Sequence, residues 1–277
     1  LEGGLDLEVR TLKLDVKACI VRVGGTNCDL ETKVALEDLG LPSEIVHMNQ
    51  LLKGRKKLED YHLLVIPGGF SYGDYVRAGA IWGKKLMSKL RGDLERFIEE
   101  GKAVVGICNG FQVLVESGVL PGINGISDYP QVTLATNSSA KYECRWVHLK
   151  CEPSACKLLS KLQVGSTLRI PIGHGEGKFM AEEGVLQEIV EKKLVIFTYV
   201  KPDGSPAGGE YPYNPNGSLM DIAGICNPYG NVMGMMPHPE RAYFGWQMPE
   251  WTREETPQAY GDGRIILESV VDYVKRL

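Results

Sequence analysis

The sequence predicts an α/β fold: a doubly wound, mostly parallel sheet with flanking helices, followed by a strand-rich second half. Two observations predict it. In the first part of the chain, short β-branched apolar runs alternate with amphipathic stretches, the sequence form of strands and helices in a mostly parallel sheet. Past residue 130 the character changes to strand-like segments and a Gly/Pro-rich loop.

Taken in order, residues 18–23 read as the first strand. Asp29 is placed to cap a helix that runs to about Leu39 and stops at Gly40. Residues 45–47 and 63–66 are the next strands. Helical periodicity fills 75–90 and 93–100, with Gly101 as the stop before a strand at 103–105 and an amphipathic stretch from Phe111. Residues 131–151 and 167–171 are strand-like, and 201–218 is a loop. Residues 222–226 and 231–235 form a hairpin about the turn Asn227-Pro228-Tyr229-Gly230, and 264–277 is a closing helix with the stripe Ile266, Val270, Val274 and Leu277. Residues 18–277 are expected to be one domain. Residues 1–17 are read as an N-terminal extension, in part a scar of expression.

Composition narrows the function classes. With 43% apolar residues among 277, the chain can bury a large core and lacks the polar bias of disorder. A net charge of -4, with Lys53-Gly54-Arg55-Lys56-Lys57 as the one basic block, argues against nucleic acid as a partner. No apolar run reaches membrane-spanning length, so no membrane partner is expected. Seven cysteines at irregular spacings, with no apolar signal core, fit reduced thiols and a cytoplasmic location.

The stretch "AVVGICNGFQVLVESG" carries the first chemical signal. Cys108 stands where a strand turns into a helix, with Gly106 and Gly110 two positions to either side. A nucleophile on such an elbow needs small residues there, because the turn presses those backbones against neighbouring elements. At a helix N-terminus the unpaired N–H groups favour a thiolate, and the Asn109 N–H points to where an oxyanion forms. A buried structural thiol is the ordinary fate of a lone cysteine; the paired glycines at the junction argue for the nucleophile.

A base is needed, and five histidines are available. His174 and His238 each have a carboxylate two residues later, Glu176 and Glu240. Residues i and i+2 of an extended segment face one side, so either pair can serve as a base with its orienting acid. Pro237 and Pro239 hold the second pair out of a helix, which favours His238 modestly. A second oxyanion donor is available in "LLVIPGGFSYGDY", where a strand ends in Pro67-Gly68-Gly69-Phe70 and the glycines allow close backbone approach. It lacks the Gly-Lys-Ser/Thr of a phosphate loop. The set Cys144, His148, Cys151 and Cys156 has metal-ligand chemistry, but Cys144 and His148 face one side of a strand and Cys151 the other, so no metal site is expected.

Residues 106–112, Gly-Ile-Cys-Asn-Gly-Phe-Gln, with Pro237-His238-Pro239-Glu240-Arg241, resemble the class I (triad) glutamine amidotransferases. The longer strings "PGGFSYGDY", "GICNGFQVL", "PIGHGEGKF", "NPNGS" and "GMMPHPER", dispersed from about residue 18 to 241, resemble the branch of that family serving purine biosynthesis. The resemblance implies Cys108 as nucleophile, His238 as base and Glu240 as its orienter, and so decides between the two histidines. It implies the Gly69 and Asn109 amides as oxyanion donors, with Phe70, Gln112 and His174 at the bound glutamine. It implies hydrolysis of glutamine to glutamate and ammonia. The ammonia is delivered to a separate synthetase subunit that uses ATP and Mg to convert formylglycinamide ribonucleotide to formylglycinamidine ribonucleotide, with a small third subunit in the assembly. No cofactor is expected in this chain. The sequence departs from the family at Gly24, where relatives often carry Pro, and at residues 247–263, which look like an insertion. The competing enzymatic reading is a cysteine peptidase or redox-stress protein on the same scaffold. A non-enzymatic binding module is the other competitor, and the filled triad positions argue against it.

Overall fold

The computed structural model describes residues 16–253 and 258–277. Most of the expected N-terminal extension, and residues 254–257 of the expected insertion, lie outside the described residues. In chain order the elements are β1 (Ala18–Arg22), α1 (Asp29–Asp38), β2 (Ser43–His47), α2 (Met48–Leu52), β3 (Leu63–Ile66), α3 (Ala80–Glu99), β4 (Ala103–Ile107) and α4 (Asn109–Glu116). They continue with β5 (Val132–Thr136), β6 (Glu143–Cys151), β7 (Thr167–His174), β8 (Glu176–Ala181), α5 (Glu183–Glu191), β9 (Val195–Val200), β10 (Ile222–Cys226), β11 (Val232–Met235) and α6 (Gly263–Val274).

One nine-stranded sheet organises the molecule, in the order β2-β1-β3-β4-β11-β10-β9-β6-β7. From β2 to β11 all neighbours are parallel; from β11 onward the pairs are antiparallel. The sequence explains the division. β3 (LLVI) and β4 (AVVGI) are continuous apolar runs buried at every residue, as strands covered on both faces must be. β6 instead alternates: Glu143, Val147, Leu149 and Cys151 are buried while Cys144 is exposed. Cys144 and Cys151 thus lie on opposite faces of that strand. β5 and β8 leave the main sheet and pair antiparallel as a separate ribbon. None of the described helices is long and apolar enough to cross a membrane.

Several boundaries differ from the sequence expectation. The two helical stretches at 75–90 and 93–100 are one helix, α3, that starts only at Ala80. Gly92 does not interrupt it, because that glycine faces open space and costs the helix only about 1 kcal/mol relative to alanine. Residues 75–79 are irregular, and Gly79 enters the helix at φ 79°. A Cβ there would lie 2.6 Å from the Val113 nitrogen, so glycine lets α3 cross close over α4. Asp29 is not the cap of α1; Cys28 holds that position, and Asp29 lies in the first turn, paired with Arg22 at 3.3 Å. Residues 131–151 divide into β5 and β6. Residues 182–200, for which the sequence carries no prediction above, form α5 and β9.

Candidate active site

Four adjacent parallel strands deliver their carboxyl ends to one place. β1 leads to Thr26-Asn27-Cys28, β3 to Gly68-Gly69, β4 to Cys108 and β11 to His238. Chain order reverses about β1, which lies between β2 and β3, so the crevice at these ends is where an open α/β sheet binds its ligand. The elbow at Cys108 is strained, with φ 51° and ψ -105°, a conformation that non-glycine residues rarely adopt. The Cys108 N–H anchors it by donating to the Met235 carbonyl at 2.8 Å. The flanking glycines are sterically required. A Cβ on Gly106 would lie 2.7 Å from the Gly110 carbonyl, and one on Gly110 only 1.7 Å from the Ile66 carbonyl oxygen. Among the described residues, the N–H groups of Gly69 and Asn109 have no backbone acceptor, as donors awaiting an oxyanion should be.

His238 and Glu240 are both buried, and Nδ1 of the imidazole lies 2.6 Å from Glu240 Oε1. The expected i, i+2 contact is therefore present, but its cause differs from the expectation. His238 is extended (φ -105°, ψ 91°), whereas Pro239–Ala242 is a 3-10 turn that folds Glu240 back under the ring. The ring packs on Gly68, where a Cβ would sit 2.6 Å from His238 Cε1, and the His238 N–H is held by the Pro171 carbonyl at 2.8 Å. Burial alone would drive the imidazolium's pKa down. The Glu240 carboxylate and the Cys108 and Cys28 sulfurs beside it outweigh burial and hold it well above the ordinary histidine value. His238 Nε2 has no protein partner, leaving that atom free for the reacting groups.

The second half of the chain closes a pocket of about 150 Å³ over the thiol, lined by Gly69, Phe70, Gln112 and Cys108 from the parallel half and by Tyr142 and His174 from the other. Gln112 is positioned by a short relay: Asn109 Nδ2 donates to Gln112 Oε1 at 2.9 Å, and Gln112 Nε2 donates to the Glu176 carbonyl. His174 is fixed by Asn137, whose Nδ2 donates to the carbonyls of Lys141 (2.9 Å) and His174 (2.8 Å). That leaves Asn137 Oδ1 facing His174 Nδ1 at 3.2 Å, so Nδ1 carries the proton and Nε2 is a bare acceptor without a protein partner. Burial, with the charge on His238 adding, pushes the His174 pKa down to about 3. It is neutral where His238 is charged. Phe70 sits at the mouth, tilted against Tyr142 with ring centroids 6.1 Å apart, and its N–H donates to the Gly25 carbonyl.

Residues 15–274 match the model of the CobB/CobQ-like glutamine amidotransferase domain. Phosphoribosylformylglycinamidine synthase subunit PurQ of Archaeoglobus fulgidus is 43% identical, over 95% of this chain and 98% of its own length. The chain belongs to the PurQ family of glutamine amidotransferases. The same subunit of Methanococcus maripaludis is 41% identical over 91% of this chain and 92% of its own. Among solved structures, a chain of PurLQS from Thermotoga maritima is 34% identical with a TM-score of 0.70, covering 93% of this chain and 98% of that one. The glutaminase domain of Trypanosoma brucei CTPS, at 13% identity and a TM-score of 0.52 over 93% of this chain and 94% of that one, shares the fold.

In this PurQ-family chain the structure brings to the site three further groups to which the sequence analysis above assigns no role. Cys28 Sγ lies 3.9 Å from His238 Nδ1, and burial pushes its thiol up to about 12, so it stands beside the base as a neutral thiol. Asn137 orients His174 from a turn 37 residues away. Asp74 enters the pocket from the turn Ser71–Asp74, just before the stretch that the sequence predicted as helix. Asp74 stands in the string "PGGFSYGDY", but nothing local assigns a role to any of the three; the sheet brings them together. Among the described residues, the group with metal-ligand chemistry is Cys28, His238 and Glu240, whose ligand atoms lie within 4.8 Å of one another. His238 Nδ1 is already engaged by Glu240 there.

Proposed function

We propose that Cys108, His238 and Glu240 hydrolyse glutamine to glutamate and ammonia, and that the ammonia passes to a synthetase subunit that converts formylglycinamide ribonucleotide to formylglycinamidine ribonucleotide in purine biosynthesis. The observation that carries this reading is the strained thiol elbow lying beside a buried, carboxylate-paired histidine. The Cys108 thiolate attacks the carboxamide carbon of glutamine, and the Gly69 and Asn109 N–H groups take the oxyanion. His238, protonated at Nε2, gives that proton to the departing nitrogen, and ammonia leaves a γ-glutamyl thioester. Water then attacks the thioester and passes a proton to Nε2. Collapse of the second tetrahedral species releases glutamate and restores the thiolate–imidazolium pair. Glu240 keeps the imidazolium in register throughout, and its charge supports the raised basicity of His238. His174 Nε2, an acceptor only, suits the N–H groups of the substrate carboxamide.

Free ammonia is mostly ammonium at neutral pH and a poor nucleophile, so the product has value only when delivered directly to the synthetase. The ATP- and Mg-dependent step belongs to that subunit, and a small third subunit completes the assembly. The relative in Thermotoga maritima comes from a PurLQS structure, which supports an assembly of this kind. Exposed apolar side chains support it too: Tyr75 is 90% and Val76 76% exposed, next in the chain to the pocket residue Asp74. The peptidase or redox-stress reading has no observation in its favour.

Reconstitution with the synthetase tests the proposal. Cys108→Ser changes one atom and is expected to abolish formylglycinamidine ribonucleotide formation from glutamine while leaving formation from high ammonium salt intact. Loss of both activities would assign Cys108 to folding or docking. Retention of both would move the nucleophile elsewhere.

A further inference from the structure

Among the side chains lining the pocket over Cys108 there is no lysine or arginine, yet there are three acceptors: the carboxylates of Asp74 and Glu176 and the bare Nε2 of His174. Glu176 is partly engaged, its Oε2 accepting the Ala78 N–H at 3.1 Å. Asp74 is not: its Oδ1 is buried and has no partner. Nearby cations are committed elsewhere. The Arg77 guanidinium pairs with Glu116, and the Lys85 ammonium lies over the Tyr72 ring, 4.2 Å from its centroid. The backbone also holds Asp74 in place against its own preference. Tyr72, Gly73 and Asp74 take φ values of 54°, 70° and 53°, three left-handed residues in succession, two of them not glycine. A turn of this cost, ending in an unpaired carboxylate beside a second carboxylate, is what remains when the missing cation belongs to the ligand.

Glutamine supplies one. Its carboxamide must lie at Cys108, in the pocket that His174 also lines. Its α-ammonium then falls elsewhere in the same pocket, whose lining includes Phe70 and Asp74. We infer that Asp74 is the counter-ion of the substrate α-ammonium and makes the pocket selective for the free amino acid over carboxamides that lack that charge. The inference rests on the glutaminase reading above. Burial first, and Glu176 second, push the Asp74 carboxyl up to about 6, as expected of a carboxylate whose cation has not arrived.

The test crosses one side chain with one substrate group. Glutamate release from glutamine is compared with glutarate release from glutaramate, the same carboxamide acid without the α-amino group, using the full chain in complex with its synthetase. Asp74→Asn suits the purpose because asparagine tolerates left-handed backbone. It is expected to raise KM for glutamine roughly 10- to 100-fold with little change in kcat, while kcat/KM for glutaramate stays within about threefold of wild type. Equal losses on both substrates would show that Asp74 only shapes the loop, and an unchanged KM for glutamine would remove it from the pocket; either result overturns the assignment. A wild-type complex that releases no glutamate at all would overturn the glutaminase reading, and this inference with it. Asp74→Glu, which keeps the charge, is expected to recover part of the lost affinity; recovery no better than that of Asp74→Ala would also count against a counter-ion.

Discussion

Two buried histidines stand near Cys108 in opposite states, and the difference comes from their neighbours. Glu240 beside His238 Nδ1, together with the Cys108 and Cys28 sulfurs, outweighs the effect of burial and favours the imidazolium, whereas His174 has only a neutral Asn137 and the repelling charge of His238, so burial wins. His238→Ala is therefore expected to lose nearly all turnover at saturating glutamine, about 10²-fold or more, while His174→Ala mainly raises KM. Steady-state kinetics on both variants checks this, and equal turnover loss in the two would remove the distinction. Glu240→Gln should keep the fold and lower kcat, because the amide cannot offset the burial of the imidazolium. The motifs made this much legible in the sequence: Cys108, His238 and Glu240 sit in short strings whose glycines and prolines set their own backbone. Cys28 and Asn137 were not legible, since each acts on a residue far away in the chain, and the place of Asp74 was not, since its own string does not show that the fold brings it into the lining with Cys108.

At the scale of elements, the elbow depends on glycine for reasons that a neighbouring glycine does not share. Gly110 lies against the end of β3, so Gly110→Ala forces the Ile66 carbonyl away from α4 and is expected to cost about 3 kcal/mol or more. Gly92, within α3 and facing open space, is the control: Gly92→Ala should stabilise by about 0.5–1 kcal/mol through helix propensity. Thermal and urea unfolding of the two variants should move in opposite directions. The same contrast explains which elements the sequence predicted well. Buried strands such as β3, and the β10–β11 hairpin with its Asn-Pro-Tyr-Gly turn, announce themselves by composition. The start of α3 does not, because residues 75–79 keep helical apolar spacing while Gly79 and the left-handed turn before it serve the crossing over α4 and the pocket. Local propensity lost there to tertiary contact.

For the whole molecule, the division of the sheet into a parallel and an antiparallel half is also a division of labour. The parallel half presents Cys108, His238 and the Gly69 and Asn109 amides at the ends of neighbouring strands, and the antiparallel half brings His174 and Tyr142 to the pocket over Cys108 through β7 and the turn before β6. Tyr75 and Val76, which follow the pocket residue Asp74 in the chain, are exposed. An exposed aromatic and a valine on an irregular stretch contribute nothing to this chain's core, but they are well suited to a surface that must seal against the synthetase so that ammonia does not escape to water. Replacing both with aspartate should leave the unfolding free energy of the isolated chain within about 0.5 kcal/mol of wild type, since surface changes away from packed features cost little. The same double variant is expected to weaken binding to the synthetase by about tenfold or more, measured by calorimetry or sedimentation. Glutamine-dependent synthesis at limiting subunit concentration should fall in proportion, while ammonium-dependent synthesis by the synthetase is unchanged. Unaltered affinity would place the docking surface elsewhere on the molecule and leave this pair without a partner.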